Sequence, residues 1–62
     1  FNKIELKWNP VVNAIGYCIL KGDSDKALLP IGYTKENFYY LFEKEQGKNL
    51  FFKICPLYPK VV

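Results

Sequence analysis

Histidine, arginine and methionine are absent from this 62-residue chain, and serine and threonine occur once each. Without histidine there is no usual base for a serine or cysteine nucleophile, so Ser-His and Cys-His catalysis is excluded. The same absence leaves the two cysteines, Cys18 and Cys55, without the partners that a tetrahedral zinc site requires. The expected complement of metals and cofactors is none. All nine basic residues are lysine, set against six acidic ones, so the net charge is only +3 and no guanidinium exists for bidentate phosphate or base contacts. Lys3, Lys7, Lys21, Lys26, Lys35, Lys44, Lys48, Lys53 and Lys60 are scattered, whereas a nucleic-acid reader gathers its charge on one face. They read as solvated surface that keeps strand edges from pairing. Nucleic acid is not an expected partner.

Long apolar runs are also missing, since nothing approaches the ~18 residues of a membrane span, and no signal-peptide pattern is visible. Membrane insertion is not expected. The chain opens on Phe1 with "FNKIELKW" already patterned as a strand, so it reads as a segment of a longer polypeptide.

Half of the residues are apolar and 18% are aromatic, too hydrophobic a balance for a disordered segment. The length allows one domain, and a chain of this size buries only about 60% of the surface its unfolded form exposes. The stability margin is expected to be thin.

Five short runs alternate with turn signals. "IELKW", residues 4 to 8, places Ile4, Leu6 and Trp8 on one face and Glu5 and Lys7 on the other, a half-buried strand. Asn9-Pro10 breaks it. "NAIG" then reads as the bend into "GYCILK", with Gly16 suited to tight turning, Tyr17 and Ile19 on one face and Cys18 and Leu20 on the other. "GDSDK", residues 22 to 26, is a polar hairpin turn. "ALLPIGYT" is extended, and Pro30 in its middle marks an edge or bulged strand. "NFYYLF", residues 37 to 42, is dense in β-formers, with Phe38, Tyr40 and Phe42 on one parity and Tyr39 and Leu41 on the other, and it does not by itself decide which points inward. "EKEQGKN" is a charged connection with Gly47 as its positive-φ residue. "LFFKIC" puts Leu50, Phe52 and Ile54 opposite Phe51, Lys53 and Cys55, the lysine marking the wetter side, and Pro56 and Pro59, bracketing "LY", are expected to end regular pairing. Evenly spaced strands without helical periodicity predict an all-β sandwich or barrel.

The order Leu6, Trp8, Asn9, Pro10, Val11, Ala14, Gly16, Tyr17, Ile19, followed by "IGYT", an aromatic four residues after Thr34, Gly47 and "LFFKI", resembles a fibronectin type III domain of the kind found in bacterial multidomain proteins. The resemblance covers about residues 4 to 55. It implies an immunoglobulin-like sandwich in which the five runs are strands B, C, C′, E and F, residues 1 to 62 forming a single module, with strand A absent and G absent or reduced to the tail after Tyr58. Trp8, Tyr17, Ile19, Phe52 and Ile54 are the implied core. Leu50 departs from the pattern, because the family carries a tyrosine at that corner and leucine has no hydroxyl to bond back to the loop.

The resemblance further implies a non-catalytic accessory module, a spacer or interdomain docking element of a larger extracellular protein of the carbohydrate-active or adhesive kind. The host would be secreted, on the cell surface or periplasmic. Strands C and F are neighbours in that family, so Cys18, Leu20, Phe51, Lys53 and Cys55 form a candidate interaction face, to be covered by a neighbouring domain, by another protein or by the loops of missing strands. A disulfide between Cys18 and Cys55 is a rival account of the pair. Two further function classes are a carbohydrate-binding module stacking sugars on exposed rings, with Tyr33 and Tyr39 the candidates, and a protein-recognition module of a receptor or adhesin. Carboxylate pairs Asp23 with Asp25 and Glu43 with Glu45 are expected in polar loops, without the burial that acid-base work needs.

Overall fold

A computed structural model describes residues 2–43 and 49–60; Glu45, Gly47 and the last two valines lie outside the described residues. Among the described residues five strands run in order: β1 (Asn2–Lys7), β2 (Gly16–Gly22), β3 (Leu29–Thr34), β4 (Phe38–Glu43) and β5 (Phe51–Leu57). They form two antiparallel sheets, β1-β4 and β3-β2-β5. No helix occurs among the described residues.

The bend between β1 and β2 is a β-turn in which the Ala14 amide donates to the Val11 carbonyl at 3.1 Å. Asn13 adopts φ 70° there, a left-handed position that asparagine tolerates. Gly16, expected to do the tight turning, lies instead at the start of β2 with the ring of Tyr33 over its Cα. Its lack of a side chain serves that close approach.

Pro30 lies within β3, an edge strand, and the β2/β3 register shifts between Ile19 and Leu20 so that Ile31 has no partner. Edge position and bulge together accommodate the proline. Pro56 does not end pairing as expected: β5 continues through it to Leu57, with Tyr17 opposite Pro56. An edge strand needs only alternate amides for its ladder, so a missing one is tolerated.

Three contacts bring the two sheets face to face. The rings of Trp8 and Tyr17 meet edge to face at 5.3 Å, Tyr39 of β4 lies over Gly32 of β3, and Glu43 of β4 pairs with Lys21 of β2. The facing rows are therefore Ile4, Leu6, Tyr39 and Leu41 on one sheet and Tyr17, Ile19, Phe52 and Ile54 on the other. Of the expected core residues only Tyr17 and Ile19 are buried; Trp8, Phe52 and Ile54 are half-buried. The accessible surface, 5005 Å² for 7.3 kDa, exceeds the ~4,200 Å² of a compact monomer of that mass. Apolar surface is left facing outward.

Candidate functional site

Because Tyr17 and Ile19 face the opposite sheet, the alternate residues of β2 face away from it. The β2/β5 register places Cys18 directly opposite Cys55, Leu20 opposite Lys53 and Gly22 opposite Phe51. The five side chains Cys18, Leu20, Phe51, Lys53 and Cys55 thus lie together on the outer face of the three-stranded sheet. Tyr33, opposite Cys18 on β3, extends the row to Tyr33-Cys18-Cys55. Tyr33 and Phe51 are exposed at 52% and 43%, while Cys18, Leu20 and Cys55 are half-buried by their neighbours. Both thiols are free. Lys53 is exposed and is the one charge among the five.

The other sheet carries a second row, which sequence reasoning missed. Pairing of Leu6 with Tyr39 and Ile4 with Leu41 turns Tyr39 inward, so Phe38, Tyr40 and Phe42 point outward opposite Lys7, Glu5 and Lys3. Tyr39, expected to present an exposed ring, is half-buried between the sheets over Gly32. The outward rings are Tyr33, Tyr40 and Tyr58 among the tyrosines, with Phe38 and Phe42 beside Tyr40. Phe38 and Tyr40 have ring centroids 5.4 Å apart with planes tilted by 37°, and the Lys3 ammonium lies 4.3 Å from the Tyr40 centroid. Glu5 holds both flanking ammonium groups, at 3.4 Å from Lys3 and 3.9 Å from Lys7. The signal that finds this row is the strand register, because either parity of "NFYYLF" is apolar enough to face a core.

One carboxylate pair lies in its expected polar loop, and Glu43 of the other pair does not. Asp23 and Asp25 are exposed in the β2-β3 turn. Glu43 ends β4, and its Oε1 is buried against the Lys21 ammonium with no hydrogen bond from any other described group. Among the described residues no three His, Cys, Asp or Glu side chains gather as a metal site. What the arrangement offers chemically is two apolar outer faces, one with an adjacent pair of thiols and one with an aromatic strip beside alternating charges.

No family model, curated protein or solved structure matches this chain.

Proposed function

We propose that the chain is a non-catalytic accessory module of the fibronectin type III-like sandwich kind, and that it docks another protein surface on the outer face of β3-β2-β5. The surface it meets belongs to a neighbouring domain of the same polypeptide or to a second protein, in a larger extracellular assembly. The observation that carries this reading is the contiguous set Tyr33, Cys18, Leu20, Cys55 and Phe51 on one face that no described residue covers, while Tyr17 and Ile19 are the only buried apolar residues among those described. Monomers rarely leave such a patch bare.

Lys53 provides the test, because its amine reports on the patch from within. Amine footprinting by mass spectrometry should show Lys53 protected in the native source and reactive in the isolated chain, while Lys26 and Lys35 react equally in both. Phe51→Asp should restore Lys53 reactivity in the source. Equal Lys53 labelling in source and isolated chain removes the docking reading.

The strip Phe38, Tyr40 and Phe42 supports a second reading, a carbohydrate-binding module, with the rings stacking on pyranose faces and Lys3, Glu5 and Lys7 bonding hydroxyls. Titration of soluble polysaccharides against aromatic fluorescence should then give a response that Tyr40→Ala abolishes and Tyr33→Ala leaves alone. Silence across plant and host glycans removes it.

A further inference from the structure

Cys18 and Cys55 are direct partners in the β2/β5 ladder, and the flanking pairs Tyr17 with Pro56 and Ile19 with Ile54 keep the same register. Residues opposite each other in an antiparallel pair have Cα atoms about 4.5–5.5 Å apart, within the roughly 4.4–6.8 Å that a disulfide spans. Both side chains leave the same face, and both are half-buried, so a small reagent reaches them from the open side of the sheet. They are the only thiols in the chain, which fixes the connectivity of any internal bridge. Among the described strands β5 pairs only with β2, at the edge of its sheet.

From this register we propose that Cys18 and Cys55 form a reversible cross-strand disulfide that ties edge strand β5 to central strand β2. The oxidant is a low-molecular-weight disulfide. One cysteine thiolate attacks a sulfur of that reagent, forming a mixed disulfide and expelling the first small thiolate. The second cysteine then attacks the protein sulfur of the mixed disulfide, closing the Cys18–Cys55 bond and expelling the other. The protein gives up two electrons and two protons, and the reagent leaves as two thiols. A strong reductant reverses both steps. The inference rests on the register alone and holds whether or not the outer face docks a partner.

The test equilibrates the 62-residue chain with oxidised and reduced glutathione, once in buffer and once in guanidinium chloride, and reads free thiols and intact mass after acid quench. The register predicts an internal disulfide, lighter by two hydrogens, with an equilibrium constant about a hundredfold or more larger in buffer than in denaturant. Peptide mapping should join Cys18 to Cys55, and the oxidised chain should melt about 10–20 °C higher than the reduced one. Cys18→Ser and Cys55→Ser should each stop at the glutathione adduct. An equilibrium constant no larger in buffer than in denaturant overturns the proposal, and so does oxidation in buffer that yields chiefly adducts or intermolecular bridges.

Discussion

The rings of Trp8 and Tyr17 meet edge to face across the two sheets, 5.3 Å between centroids with planes at 69°, and the Tyr17 hydroxyl accepts the Val11 amide at 2.9 Å. Tyr17 thereby joins the inner layer to the turn that leads into its own strand. Tyr17→Phe keeps the ring contact and removes the acceptor, so it should cost about 1 kcal/mol, or about 4–8 °C in melting temperature for a domain of this size. Tyr17→Ala also removes the ring, at about 3–5 kcal/mol, against a whole-domain stability of roughly 3–9 kcal/mol. Thermal unfolding of both variants checks the ranking: a clear transition for Tyr17→Phe, and a lost or nearly lost one for Tyr17→Ala.

Two glycines lie under tyrosine rings, and they should answer substitution differently. A Cβ at Gly32 would lie 2.6 Å from Cζ of Tyr39, whose ring is held between the sheets. One at Gly16 would lie 2.7 Å from Cζ of Tyr33, which is 52% exposed and can swing into solvent. Gly32→Ala should therefore destabilise by about 1–3 kcal/mol through overpacking, and Gly16→Ala by less. Urea unfolding of the two variants measures the difference. A larger loss at Gly16 would mean that Tyr33 is held more tightly than its exposure implies.

The strands were readable because each alternates or is bounded by a turn former, and Pro30 pointed to an edge or bulged strand; β3 is an edge strand whose unpaired residue is the next one, Ile31. Other features depended on pairings between distant segments. Which parity of "NFYYLF" faces inward follows from Leu6 opposite Tyr39 and Ile4 opposite Leu41, a non-local choice that period-two alternation leaves open when both parities are aromatic. The turn residue was misplaced because "NAIG" offers both an asparagine and a glycine, and each tolerates positive φ; the structure uses Asn13. Pro56 misled for a related reason, since a proline ends an inner strand but not an edge strand. Of the two outer faces, the one containing Cys18 and Cys55 was legible from parity once β2 and β5 were taken as neighbours. The one containing Tyr40 was not.

Phe42 separates surface from scaffold. It is 65% exposed at the outer end of the aromatic strip, opposite Lys3. Phe42→Thr, which keeps a β-former and puts no like charge opposite Lys3, should leave stability within about 0.5 kcal/mol of the parent. Urea unfolding tests this directly. A loss well beyond that bound would show that the ring supports β4 rather than waiting for a ligand.

Lys21 and Glu43 pair between the sheets with side chains only 26% and 18% exposed, an ion pair at the end of the facing rows. Removing one partner leaves a mostly desolvated charge alone, so Lys21→Met and Glu43→Leu should each destabilise, by about 1–3 kcal/mol once the remaining solvent access is discounted. Removing both replaces the pair with apolar contact between facing positions, and the double variant should regain most of the loss or exceed the parent. Equilibrium unfolding of the parent, both single variants and the double variant closes the cycle and yields the coupling between the two positions. Strong coupling means that the pair fixes how β2 and β4 meet, since no other described group donates to Glu43 Oε1. Additive losses would mean instead that each charge is satisfied by water, and that the layers are aligned by Trp8 against Tyr17 and by Tyr39 over Gly32 alone.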